Sequence, residues 1–245
     1  MADAAKQISE IGQSLWLDYI SRDLLNSGKL NHLVETGVIT GMTSNPSIFE
    51  KAISGSSDYE SDPQKILKSG ETDPYNSFLR LAVDDIRTAC DVLHSVYKRT
   101  DAVDGYVSLE VPPGIEDNMQ ETIDEATRLF DLVDRQNVMI KVPGTNAGVE
   151  SLTELISRGI NVNVTLLFSV GMYEKVAHAY IEGLERLLKK GGNLSQIASV
   201  ASFFVSRLDA AVDEILDEDS SLRGTAAIAN ARVAYERFEK IFSGE

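Results

Sequence analysis

The sequence predicts an α/β barrel of the (β/α)8 TIM type, with six βα units evident, and three observations predict it. Six short apolar or β-branched segments recur, at 15–19, 41–43, 106–111, 138–142, 161–167 and 199–205. Longer stretches whose apolar residues return every three or four positions lie among them, at 73–97, 116–134, 148–157 and 169–190. Polar residues gather toward or just beyond the carboxyl ends of these segments: Asp18, Asn45, Glu110, Lys141, Asn163 with Thr165, and Ser202 with Arg207.

Each observation carries one part of the fold. Strand then helix, repeated, means parallel strands joined by crossover helices. Strands that are nearly uniform apolar runs are those buried on both faces. Polar residues at the carboxyl ends of many strands match the place where a closed barrel assembles its active site, whereas an open sheet gathers its site at one switch point. The interval 50–104 opens with a Gly/Ser-rich stretch at 54–57 and is expected to hold an extra helix or lid. After Arg207 the pattern is helical, at 208–216 and 226–242, with no seventh or eighth strand signal. The expectation is one barrel domain over 1–245, incomplete at its carboxyl end, whose open strand edges favour either association of copies or a less stable chain.

Composition narrows the function. At 245 residues and 43% apolar, the chain is long enough for one sizeable core. Its single cysteine, Cys90, allows no internal disulfide, which fits a reducing, cytoplasmic setting. Residues 1–13 are mixed and polar with no continuous apolar run, and no later run approaches the roughly 18 to 20 apolar residues of a membrane span. A formal charge of −15 argues against nucleic-acid or anionic-membrane partners, both of which need clustered cations. Sugar phosphates remain admissible, because a pocket needs only a few local donors.

Lys141, in Val-Met-Ile-Lys-Val-Pro-Gly, is the sharpest feature. A lysine enclosed in an apolar strand loses the solvation that holds an ammonium, which favours the neutral amine that attacks a ketose carbonyl. The same position also suits a lysine whose head group reaches water from a strand end. Asp18 and Glu110 supply the proton transfers that Schiff-base chemistry on a sugar requires, or serve as salt-bridged carboxylates. Asn45 suits a sugar hydroxyl, and equally a turn before Pro46. Asn163 and Thr165, two apart, share one face of their strand, taken here as the barrel interior. Ser202 and Arg207 form a candidate phosphate clamp, with an Arg207–Asp209 pair at a helix start as the alternative. His32, His94 and His178 lie in helical segments without metal-ligand spacing and are read as structural, with no metal site.

The segments LWLDYISRD from Leu15, TGMTSNPSIF from Thr40, YVSLEVP from Tyr106, MIKVPGT from Met139, NVNVTLLFS from Asn161 and SFFVSRLD from Ser202 resemble, in order, the motifs of the transaldolase family, in particular its longer bacterial branch. The resemblance implies Lys141 as the Schiff-base lysine, Asp18 as acid/base at the C4 hydroxyl and Glu110 as acid/base through a water. It implies Asn45, Asn163 and Thr165 as positioning groups, Ser202 and Arg207 at the phosphate, and Phe204 lining the site. The implied reaction moves dihydroxyacetone from sedoheptulose 7-phosphate to glyceraldehyde 3-phosphate, giving erythrose 4-phosphate and fructose 6-phosphate without a cofactor. The family's barrel has eight strands, so two, one of them phosphate-binding, are unaccounted for. Fructose 6-phosphate aldolases resemble the chain at the lysine strand but carry Gln and Tyr where Glu110 and Phe204 stand. A non-catalytic, truncated barrel that binds sugar phosphates is the remaining alternative.

Overall fold

A computed structural model describes residues 2–60 and 62–244. The elements run α1 (Ala2–Glu10), β1 (Trp16–Asp18), α2 (Arg22–Asn26), α3 (Lys29–Glu35), β2 (Gly41–Thr43), α4 (Pro46–Ser54), α5 (Asp62–Lys68), α6 (Pro74–Arg99) and β3 (Val107–Glu110). They continue through α7 (Met119–Val133), β4 (Val138–Pro143), α8 (Asn146–Ser157), β5 (Val162–Leu167), α9 (Val170–Lys189), β6 (Ser199–Phe203), α10 (Ser206–Asp213) and α11 (Ala226–Phe242). The strands are hydrogen-bonded in chain order, β1-β2-β3-β4-β5-β6. The pairs β1/β2, β2/β3 and β5/β6 are parallel. Parallel strands in sequence order with helices between them are the connectivity of a TIM-type α/β fold.

All six expected strands are present, with ends that shift by one or two residues. The sixth stops at Phe203 because Val205 turns to φ −106° and ψ −63°, and α10 begins at Ser206. The interval after residue 50 holds the end of α4, a 3₁₀ turn at Ser57–Tyr59, α5 and the long α6. Helices α1, α2, α3 and α5 have five to nine residues each, too short to show a full apolar period in sequence.

Contacts divide the chain into two compact units, residues 1–112 with 125–140, and residues 113–124 with 141–245. The first contains β1 to β3. Its longest helix, α6, starts where Asp73 accepts from Asn76 N–H and Pro74 takes the first turn. Ala82, Ile86, Ala89, Leu93 and Val96 recur at helical spacing and are fully buried. The start of β2 lies under Trp16: a Cβ on Gly41 would meet the indole Cε2 at 2.4 Å, so only glycine fits there. That indole donates to Asp104 Oδ1 at 2.9 Å, tying β1 to the segment before β3. Behind the β1–α2 turn, Arg22 bridges Asp62 and Asp85 and lies over the Tyr59 ring, while Tyr59 donates to Asp85 at 2.6 Å.

The second unit contains the end of β4, then β5, β6 and helices α8 to α11. Strand β5 is buried throughout except at Leu166, whereas all five residues of β6 are only half-buried. Ala201 and Phe203 of β6 pack with Tyr173, Ala177 and Ala234, so that face of the strand looks toward α9 and α11. Among the described residues, β6 has a hydrogen-bonded neighbour on one side only.

Candidate active site

In the first unit, β1 and β2 end in register, with Asp18 opposite Thr43. The Thr43 hydroxyl donates to Asp18 Oδ1 and so orients a carboxylate that is otherwise exposed. Thr43 was not singled out in the sequence; a hydroxyl facing an acid across two strand ends is recognisable only once the register is known. Asn45 starts α4 as its N-cap, its Oδ1 accepting from Ile48 N–H at 2.9 Å, with Pro46 in the first turn. The turn-forming role is therefore real, and the cap engages the amide through its oxygen. Just before it, Ser44 donates to the Ser108 carbonyl at 2.8 Å, which fixes the exit of β2 against β3. Glu110 closes β3 and is partly buried.

In the second unit, Lys141 lies within a strand buried at every position and is itself only 6% exposed. Two residues beyond it, Pro143 ends β4. The N–H of Gly144 then donates to the Thr165 carbonyl at 2.7 Å, anchoring the exit of the lysine strand to β5. A Cβ on Gly144 would come within 3.2 Å of the Thr165 carbonyl oxygen and would push the end of the Leu167 side chain aside.

Asn163 and Thr165 are both buried. Asn163 pairs with Val200 in the β5/β6 register, and paired residues of parallel strands share a face. Ser202, two residues past Val200, falls on that face too, and its hydroxyl donates to Asn163 Oδ1 at 2.7 Å. Asn163, Thr165 and Ser202 thus form one polar face, opposite the apolar face of Ala201 and Phe203 that meets the helices.

The register slips between Val164 and Leu167: Val164 pairs with Ala201, but Leu167 pairs with Phe203, so Thr165 and Leu166 together oppose Ser202. This is a β-bulge, and Leu166 adopts a left-handed φ of 61° within it. Sequence reading missed it, although a signal was there. An unbroken alternation from Asn163 through Thr165 would put Leu167 on the polar face.

The residues around the expected clamp are held by their own neighbours. Phe204 N–H donates to the Leu167 carbonyl at 2.8 Å, and the Phe204 ring packs on Phe168 at 5.3 Å between centroids. The Arg207 guanidinium lies over the Phe204 ring at 4.8 Å. Asp209 accepts from Ala227 N–H at 2.8 Å, which ties it to the start of α11. Ser202 is thus bonded to Asn163, and Arg207 is stacked on Phe204.

Other polar features lie apart from these strand ends. A cavity of about 620 Å³ in the first unit is lined by Arg80, Arg87 and Arg128, among others, and by none of the candidate residues. His32, His94 and His178 are in α3, α6 and α9, and no cluster of three His, Cys, Asp or Glu among the described residues is arranged to hold a metal. Cys90 is buried in α6, and burial pushes its thiol pKa up, away from reactivity. No helix among the described residues is long and apolar enough to cross a membrane.

Three curated relatives share this sequence pattern at length. The chain is 47% identical to transaldolase 2 of Nostoc sp. over 253 residues, 98% of this chain and 66% of that protein. It is 44% identical to a transaldolase of Trichodesmium erythraeum, over 98% of this chain and 66% of that one. With a transaldolase of Thiobacillus denitrificans the identity is 45%, over 98% and 68%. The chain therefore spans about two thirds of the length of the relatives it matches. The model of the transaldolase/fructose-6-phosphate aldolase family matches residues 15–243, and the chain belongs to that family.

Proposed function

We propose that this chain carries the chemistry of a transaldolase, moving a dihydroxyacetone unit between sugar phosphates of the pentose phosphate pathway through a Schiff base on Lys141. The observation that carries the reading is the burial of Lys141 in β4, with the exit of its strand hydrogen-bonded to Thr165. Enclosure in the strand fixes the amine in place and limits the bulk water that reaches an intermediate.

In this reading Lys141 Nζ attacks C2 of sedoheptulose 7-phosphate, and the carbinolamine loses water to give the Schiff base. Glu110 moves protons in that step through a water. Asp18 takes the proton of the C4 hydroxyl as the C3–C4 bond breaks, releasing erythrose 4-phosphate and leaving an enamine on the lysine. The enamine adds to glyceraldehyde 3-phosphate, and hydrolysis frees fructose 6-phosphate. Thr165, Asn163 and Asn45 orient hydroxyls and the water, Ser202 and Arg207 bind the phosphate end, and Phe204 walls the site.

Transfer is preferred over simple aldol cleavage because residue 204 is a phenylalanine. Release of free dihydroxyacetone needs the enamine protonated, and a phenyl ring cannot order the water that does it. Borohydride reduction in the presence of fructose 6-phosphate, followed by peptide mass mapping, tests the reading. A three-carbon adduct on the Lys141 peptide is expected. A chain that binds fructose 6-phosphate yet yields no adduct is a non-catalytic binder, and the proposal fails.

A further inference from the structure

The bulge in β5 does more than end a strand. Before it, Val164 shares the helix-facing side with Ala201; after it, Leu167 shares that side with Phe203. One extra residue is what keeps both in the apolar layer, because a one-residue slip exchanges the faces of everything that follows. Without it, Leu167 would turn onto the side of Asn163, Thr165 and Ser202, placing an isobutyl group among the polar side chains.

The extra residue is held in a conformation that leucine rarely adopts. Leu166 has φ 61° and no glycine's freedom, and the residue is 39% exposed, so burial of leucine is not what the conformation serves. The two carbonyls flanking it are both in use. That of Thr165 accepts from Gly144 N–H at 2.7 Å, three residues past Lys141, and that of Leu167 accepts from Phe204 N–H at 2.8 Å. A strained residue is retained where the surroundings over-determine it, and here both neighbouring strand exits do so.

We infer that the left-handed backbone of Leu166 is the positioning element for the candidate residues of the second unit: it holds Thr165 on the polar face and sets the exits of the Lys141 strand and of the Phe204 segment. The inference assigns the role to the backbone of residue 166, and its catalytic consequence rests on the Schiff-base reading above. Leu166 itself touches no reacting atom.

Three substitutions in the full chain separate backbone from side chain. Asn and Gly accept a left-handed φ, whereas the β-branched Val resists it. Two quantities are measured: amide hydrogen exchange at Gly144 and Phe204, and the rate of borohydride trapping on Lys141 with fructose 6-phosphate. Leu166→Val is expected to speed both amides by about tenfold, since local opening controls exchange. It is also expected to slow trapping on the order of tenfold, because misplacement of positioned groups is felt directly in rate. Leu166→Asn and Leu166→Gly are expected to keep both values near the parent's while matching Leu166→Val in loss of the leucine side chain. Parent-like exchange and trapping in Leu166→Val overturn the inference, as does equal damage in all three variants. If the parent forms no adduct, the Schiff-base reading falls, and the exchange comparison alone decides the positioning role.

Discussion

Ser202 Oγ donates to Asn163 Oδ1 at 2.7 Å across the β5/β6 pair, so two of the candidate site's polar side chains hold each other. Asn163 is fully buried, and an amide oxygen in such a place cannot exchange a lost donor for bulk water. Ser202→Ala is therefore expected to lower stability by about 1–3 kcal/mol, read from the urea midpoint at unchanged slope. It should also reduce transfer by loosening the Asn163 amide. A variant with the parent's urea midpoint would show that the hydroxyl contributes nothing to holding Asn163.

Lys141→Arg keeps a long hydrogen-bonding side chain and removes the amine nucleophile. The expected outcome is loss of the reducible adduct and of transfer activity, with the circular dichroism spectrum of the parent retained. Transfer by a well-folded Lys141→Arg protein would remove the Schiff base from the mechanism.

Much of this architecture is legible in the sequence because burial on both faces leaves an unmistakable mark. Residues 138–142 and 161–167 read as strands from their composition, and they form β4 and β5 with ends shifted by one residue. The TIM-type strand order followed from the regular alternation of such runs with helices. What was not legible depends on register. Thr43 matters because it faces Asp18, and Leu166 because it is the extra residue opposite Ser202; neither relation exists within one segment. The stacking of Arg207 on Phe204 is hidden for a related reason, since it depends on where the chain turns after Phe203. The short helices before α6 escaped because their stability comes from packing and caps more than from periodicity.

Asp85 offers a test of the first unit through pH. Burial pushes its pKa up, while hydrogen bonds from Tyr59 and Arg22 pull it down, and the net direction is upward. The folded carboxyl thus holds its proton to higher pH than the unfolded one. Its contribution to stability is fully present below the unfolded pKa and is lost as pH rises through the folded pKa. Tyr59→Phe removes a donor that favours the charged form over the neutral one. The variant is expected to be less stable by about 1–3 kcal/mol at neutral pH, with the deficit shrinking as pH falls and Asp85 becomes protonated. Asp62, held low by its bonds to Arg22 and Lys65, loses its contribution on acidification in both proteins and so largely cancels from the difference. Urea unfolding of the pair at several pH values checks the prediction, and a deficit that grows toward acid would contradict it.

Phe204→Tyr addresses the choice between transfer and release. The ring is fixed from three sides: its backbone N–H donates to Leu167, its face packs on Phe168, and the Arg207 guanidinium covers it at 4.8 Å. A para hydroxyl added to so constrained a ring keeps one direction, and a tyrosine face holds an arginine as well as a phenylalanine face does. If the ring walls the space where the enamine forms, that hydroxyl can order a water for protonation of the enamine carbon, and free dihydroxyacetone leaves in place of a transferred unit. The expected outcome is a higher ratio of free dihydroxyacetone to transfer product from fructose 6-phosphate, with trapping on Lys141 unchanged. The ratio is read by coupled assay of both products at fixed acceptor concentration. An unchanged ratio alongside intact trapping would place Phe204 away from the reacting carbon, and leave its ring as a support for Arg207 alone.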